Sequence, residues 1–191
     1  MEVGAQQAAR AKAIGIRPFT QPDAAQVRDL FIKVNRLLAP KHLIGAFEAY
    51  IARCLNEEID RIADYYGEHG GGFWVAIEDK RVVGMFGLEA ASGDAMELRR
   101  MYVDPEWRRH GIARLMLLFA EDECRRFKRG RIDLSTSELQ EAALSLYRSA
   151  GYQLVRQEVA ALANNKTLGG GIRRFHLTKS LSGSASRIPH L

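Results

Sequence analysis

The stretch with the most chemical content runs Glu97-Leu-Arg-Arg-Met-Tyr-Val-Asp-Pro-Glu-Trp-Arg-Arg-His-Gly-Ile-Ala113. Its last part, Arg108-Arg109-His110-Gly111-Ile112-Ala113, has the make-up of an anion site. An extended run ends at Val103, Asp104-Pro105 turns the chain, and the apolar spacing beyond Gly111 predicts a helix. The first N–H groups of a helix lack partners within it and stand at the positive end of its dipole. Gly111 allows close approach to the backbone, Ala113 is small, and the flanking arginines add charge. A helix start of this kind suits a pyrophosphate. The chain has no G-x-x-x-x-G-K-S/T loop and no G-x-G-x-x-G fingerprint, so neither common nucleotide motif applies. A basic loop before a solvated helix would share this composition; the strand before it and the amphipathic helix after it favour the anion site.

The extended run feeding this loop carries a second signal. Met96 and Leu98 are apolar on one parity, Met101 and Val103 on the other. Strand side chains alternate faces, so a slip around Arg99 and Arg100 predicts a β-bulge. Bulges unpair backbone groups, re-aim side chains, and collect beside active sites. Glu97 is an acid inside this otherwise apolar run and needs a reason to be there. Either it does chemistry, or it is an edge residue paired with Arg99 or Arg100.

The elements that must position these groups follow from periodicity. Ile14–Phe19 alternates and predicts a strand. Thr20, Pro22 and Asp23 make a helix start: a capping hydroxyl, a first-turn proline and an acid facing the dipole. Val27, Leu30, Phe31, Val34, Leu37 and Leu38 recur at helical spacing until Pro40. A second helix places Ile44, Phe47, Ile51, Leu55, Ile59, Ile62 and Tyr66 on one stripe and stops at Gly70-Gly71-Gly72. Strands over 73–77 and 82–88 form a hairpin around the polar turn 78–81, and a third runs 95–103. A helix from Gly111 to Lys128, a strand over 132–136, a helix from Leu139 to Ala150, a strand from Tyr152 and a last strand over 172–177 follow. The order is β-α-α-β-β-β-α-β-α-β-β. It predicts an α/β (α+β) fold with a mixed, mostly antiparallel sheet of about seven strands and helices on both faces. Residues 1–13 are expected to be an N-terminal arm, 14–179 a single domain and 180–191 a flexible tail.

Composition narrows the function. The 191 residues are 47% hydrophobic and 27% charged, ordinary for a soluble globular protein. No run is long enough to span a bilayer, and the first residues lack the apolar core of a secretory signal, so a cytoplasmic location and no membrane partner are expected. Asn165-Lys166-Thr167, formally a glycosylation pattern, is then silent. Cys54 and Cys124 fall in helical patterns and read as reduced thiols, and the five histidines lack metal-ligand spacing, so no metal is expected. The net charge of +5 collects largely between Arg99 and Arg131, beside the anion site. It suits an anionic cofactor better than nucleic acid, because Glu121, Asp122 and Glu123 interrupt any basic stripe.

Arg108 to Ala113 matches a six-residue pattern: Arg or Gln, two residues, Gly, one residue, then Gly or Ala. In this it resembles the acetyl-coenzyme A motif of the GNAT superfamily of N-acetyltransferases. Thr136-Ser137 and the helix Leu139 to Gly151-Tyr152 look like the family's next strand end and helix. The resemblance extends over 14–179 as an order of elements and over 97–152 in residues. It implies a fold of GNAT type with acetyl-coenzyme A as co-substrate. Backbone groups of Met101, Tyr102 and Val103 would hold the pantetheine arm, and amides from Arg109 to Arg114 (Arg109, His110, Gly111, Ile112, Ala113, Arg114) the pyrophosphate, with Arg108 at the motif's first position. Gln140 stands seven residues before Tyr147, where the family often has Asn. Tyr147 matches the tyrosine that protonates the leaving thiolate, against a plain packing role beside Leu144. Glu97, eleven residues before Arg108, stands where some lysine-acetylating members carry their base, with Glu89 the weaker candidate. The loop Asn164–Gly171 occupies the family's usual place for acceptor contacts. The implied activity is transfer of an acetyl group to a primary amine, small-molecule or peptidyl, by direct attack in a ternary complex, with a homodimer one expected state. The other reading is an acetyl-coenzyme A-binding regulatory module without turnover.

Overall fold

The computed structural model describes residues 14–181; the expected arm over 1–13 and most of the expected tail lie outside them. Seven strands form one sheet in the order β1-β2-β3-β4-β5-β7-β6. They are β1 (Gly15–Pro18), β2 (Gly72–Glu78), β3 (Arg81–Ala91), β4 (Ala95–Val103), β5 (Arg131–Ser137), β6 (Gln153–Val159) and β7 (Arg173–Ser180). Every neighbouring pair is antiparallel except β4 and β5, which run parallel. The helices are α1 (Ala24–Leu38), α2 (Ile44–Glu57), α3 (Ile62–Glu68), α4 (Ile112–Arg126) and α5 (Glu141–Ser149). The last strand reaches Ser180 and Leu181 is buried, so these two residues belong to the sheet and its core rather than to a tail. Among the described residues, no helix is long and apolar enough to cross a membrane.

The central strands are buried on both faces, as strands covered by helices must be. Trp74 and Ala76 of β2 face the cluster completed by α4 and α5; Phe73 and Val75 face the one built with α1, α2 and α3. On β4, Met96, Leu98, Met101 and Val103 all turn toward the α4 side. That is possible only because the register slips: Met85 opposes Tyr102 while Gly87 opposes Arg99. Two residues of β4, Arg100 and Met101, therefore face Phe86 alone. The bulge read from the parity slip is present, and Arg100 takes it in the left-handed region at φ +53.

The second helix differs from its expected course. The stripe from Ile44 to Tyr66 is one apolar face, yet the helix breaks after Glu57. Glu58 leaves helical geometry (φ −140, ψ −59), a short 3-10 turn covers Ile59–Arg61, and α3 restarts at Ile62. Periodicity alone cannot register this, because the apolar residues on both sides keep helical spacing. The cause is tertiary: the Glu58 side chain is drawn fully inside to meet partners on the bulge.

The start of α1 follows the expected chemistry. Thr20 and Asp23 close a capping box: the Thr20 carbonyl accepts from the Asp23 N–H at 2.8 Å, and Asp23 Oδ2 accepts from both the Thr20 N–H and its hydroxyl, each at 2.9 Å. Arg17 binds the same carboxylate with both terminal nitrogens, at 2.7 and 2.8 Å. The Arg17 bonds, joined by those from Thr20, outweigh burial and pull the Asp23 carboxyl down to about 2. A depressed carboxylate stabilises the fold above its unfolded pKa, and the contribution fades as pH falls through the folded value. Arg17 is half exposed, so solvent screens the pair. Asp23→Asn is expected to lose about 1 kcal/mol near neutral pH. In urea melts the deficit should persist down to about pH 4 and close toward pH 2.

Candidate active site

The bulge places two consecutive arginines in the interior, and Glu58 receives both. Arg99 Nη2 donates to Glu58 Oε2 at 2.7 Å; Arg100 donates through Nε at 3.0 Å and Nη2 at 2.7 Å. The Tyr66 hydroxyl adds a bond at 2.7 Å. Burial alone would raise the Glu58 carboxyl, but the Arg100 and Arg99 charges outweigh it and hold the group below its usual range. Arg100 also donates to the Tyr50 hydroxyl at 2.6 Å and lies over the Phe31 ring, 5.4 Å from its centre. Arg99 reaches the other way, to Glu89 at 2.9 Å. Glu97, by contrast, is bonded neither to Arg99 nor to Arg100: its side chain meets Lys166 Nζ at 2.6 Å.

Beyond the bulge, β4 and β5 part. Their parallel pairing covers Ala95–Leu98 against Arg131–Leu134 and then stops, although both strands continue. The gap is a cleft of about 560 Å³, open to solvent, between the backbone of Leu98–Tyr102 and Ser135–Thr136. Strand backbone facing such a gap has N–H and C=O groups to offer an extended ligand. Met101 and Tyr102 therefore line the cleft, and Val103 continues the same strand toward the anion loop.

That loop is a 3-10 turn, Pro105–Trp107, followed by α4. Asp104 shapes it: its carboxylate accepts from the Glu106 N–H at 3.0 Å and from Lys33 at 3.0 Å. Arg109 (φ +65) and Gly111 (φ +78) both turn left-handed, which exposes consecutive backbone amides. Gly111 caps α4 without a side-chain bond, and a Cβ added there would meet open space. Arg108, Arg109 and Arg114 are exposed around it, Ala113 is half-buried, and Ile112 anchors the helix in the core. His110 Nδ1 lies 2.8 Å from the Arg108 carbonyl and so belongs to the loop's internal structure. Free amides, a left-handed glycine and surrounding guanidinium groups fit a pyrophosphate.

Tyr147 lines the same cleft from α5 and is buried. Burial, with Tyr102 nearby, pushes its phenol well above the ordinary value, so it stands protonated at neutral pH. Gln140 also lines the cleft, but its side-chain oxygen accepts from the Thr136 hydroxyl at 3.2 Å and lies near Ser137, shaping the turn before α5. Glu97 faces the cleft's other end and pairs directly with Glu89 across β3 and β4. Glu89 is raised by burial but lowered more by the Arg99 and Lys166 charges, leaving it below its usual range. Among the described residues, no group of three or more His, Cys, Asp or Glu is placed to hold a metal.

Several residues that build or border the cleft carry no usable local signal. Glu58 reads as an exposed helical acid beside Glu57, and Lys166 as a cation in a glycine-rich loop. Arg174, half-buried and lowered by desolvation, borders the cleft from β7 beside Ser135. Arg99 and Arg100 did carry one: two adjacent arginines inside an apolar strand require buried partners.

A family model described as an acetyltransferase (GNAT) domain matches residues 69–154. The chain is 33% identical to N-acetyltransferase family 8 member 2 of Rattus norvegicus, over 69% of this chain and 59% of that protein. It is 30% identical to the N-acetyltransferase YjgM of Escherichia coli, over 63% of this chain and 73% of that one. Among solved structures, the PaiA N-acetyltransferase of Thermoplasma acidophilum in complex with coenzyme A superposes with a TM-score of 0.65 at 19% identity, over 87% of this chain and 98% of that one. The chain spans about half the length of the first curated relatives it matches.

Removing one partner of a buried ion cluster leaves an uncompensated charge. Glu58→Gln keeps the shape, leaves the buried Arg100 guanidinium without a carboxylate and leaves Arg99 with the Glu89 carboxylate alone. The expected loss is about 3–5 kcal/mol in the urea unfolding free energy, against less than about 1 kcal/mol if the cluster were solvated.

Proposed function

The chain belongs to the GNAT acetyltransferase family, and we propose that it moves an acetyl group from acetyl-coenzyme A to a primary amine by direct attack within a ternary complex. The observation that carries this reading is the parting of β4 from β5: one cleft then holds an open strand backbone, Glu97 and Tyr147, and leads to the anion loop. When bound, acetyl-coenzyme A supplies a thioester whose acyl carbon accepts an amine's lone pair and whose sulfur departs. The backbone of Met101–Val103 orients the pantetheine arm, and the amides from Arg109 to Arg114, with Arg108 beside them, hold the pyrophosphate. A primary alkylamine is an ammonium ion near neutral pH and must lose a proton before it can attack. Glu97 Oε2, already placed 2.6 Å from an ammonium nitrogen, accepts that proton. Tyr147 Oη, kept protonated by burial, supplies one to the departing sulfur.

The carboxylates of Glu89 and Glu97, which already hold the Lys166 ammonium between them, support a primary amine as the acceptor. Two free, buried cysteines support a cytoplasmic setting. The test is free-thiol release from acetyl-coenzyme A across a panel of amines and peptides. Tyr147→Phe is expected to lower kcat about 10²-fold with little change in coenzyme binding. Glu97→Gln should lower kcat/KM by about 10–10² near neutral pH, and the gap should narrow as pH approaches the amine's own pKa of about 10, where solvent deprotonates it. Binding without turnover on any amine would point instead to a regulatory module of the same fold.

A further inference from the structure

The amine end of the cleft already holds an amine. Glu89 and Glu97 are direct cross-strand partners, and like charges in that position destabilise a sheet on their own. Lys166 Nζ lies between them, 2.6 Å from Glu89 Oε1 and 2.6 Å from Glu97 Oε2. The loop over 160–172 that carries it is fastened on both sides of the lysine. The Asn165 carbonyl accepts from the buried Arg100 guanidinium at 2.6 Å. Asn164 Oδ1 accepts from the N–H groups of Lys166 at 2.7 Å and Thr167 at 3.0 Å. Gly169 completes the fold-back at φ +71, where a Cβ would stand 2.9 Å from the Ala163 nitrogen. The result is a primary alkylamine delivered into the cleft that Met101 and Tyr147 also line.

We propose that Lys166 is itself an acetylation site, modified in cis by the transfer chemistry of this cleft. The inference rests on the acetyl-transfer reading above and adds an acceptor that the chain supplies. Of the two carboxylates, Glu89 is also held by Arg99, so Glu97 is the one free to take a proton. The Lys166 ammonium gives one proton to Glu97, and the neutral Nζ forms a bond to the acyl carbon as the carbon–sulfur bond breaks. Tyr147 protonates the departing sulfur, and the second proton lost from nitrogen restores the phenol through cleft water. The products are an Nε-acetyl-lysine, a free thiol and one proton released to solvent, with no oxidant or reductant involved. Acetyl-lysine is neutral and cannot bridge two carboxylates. Modification therefore withdraws the cation that fastens the loop over Glu97.

The test uses the purified full chain with acetyl-coenzyme A and no added amine. Mass is read on the intact protein and its peptides, with thermal stabilisation by acetyl-coenzyme A and thiol release with an added amine measured in parallel. The expected result is one acetyl group on the peptide containing Lys166, at a rate per molecule unchanged by dilution. Glu97→Gln should slow it about tenfold or more. Lys166→Arg should bind acetyl-coenzyme A and gain no acetyl group at that position. An unmodified Lys166 in a chain that acetylates added amines overturns the inference and leaves the function standing. A rate that falls with dilution overturns the cis assignment. Acetyl groups spread equally over exposed lysines such as Lys41, Lys80 and Lys128, and indifferent to Glu97→Gln, mark chemical acetylation and overturn it too. A chain that neither binds acetyl-coenzyme A nor transfers removes both.

Discussion

One buried carboxylate organises this molecule. Glu58 receives Arg99 and Arg100 from the bulge in β4, and the rest of the site follows from satisfying those three charges away from water. The helix that would run unbroken from Ile44 to Tyr66 gives up its geometry at Glu58 to let the carboxylate in. Arg100 accepts a left-handed backbone, a conformation that costs an ordinary residue about 1 kcal/mol or more, because four side chains and a carbonyl hold its guanidinium in place. A bulge fixed so firmly cannot anneal into regular pairing. It turns the remainder of β4 away from β5 and so opens the cleft.

The network extends outward from the core to the chemistry. Glu58, Glu89 and Glu97 balance Arg99, Arg100 and Lys166, so the cluster is neutral in its closed form. Burial falls along it, from the fully enclosed Glu58 to Glu97 at 23% side-chain exposure and Lys166 at 43%. The inner members are rigid structure and the outermost pair meets solvent. The position of Glu97 is therefore anchored to the deepest part of the core without Glu97 itself being locked. At the opposite end, the anion loop gains its shape from Asp104, which gathers Lys33 from α1 and Arg81 from β3. Both helical layers thus contribute to one groove.

Much of this was legible in residue order because it is set by local physics. The slipped parity of Met96 and Leu98 against Met101 and Val103 could only be resolved by an extra residue, and the bulge is there. Arg109 and Gly111 sit at a helix start whose amides have no internal partner, as their types required. The seven strands followed from alternation and turn chemistry. What escaped was long-range. Glu58 lies forty-one residues before Arg99, and nothing near it in sequence distinguishes it from its exposed neighbour Glu57. Lys166 reads as a loop cation until the loop folds over β3 and β4. The role proposed for Tyr147 comes from its place in a family pattern; periodicity alone makes it a packing residue, and it is also part of the core. The pairing of Glu97 with an adjacent arginine failed because the bulge turns both arginines inward.

The central claim is that the gap between β4 and β5, continued by the amides at the start of α4, is where acetyl-coenzyme A lies. Amide hydrogen exchange on the full chain, with and without acetyl-coenzyme A, tests it most directly. The account predicts slowed exchange in two separated stretches, Met101–Val103 and Arg109–Arg114, with no comparable change along β1 or β2. Protection confined to other elements, or none at saturating acetyl-coenzyme A, would contradict it.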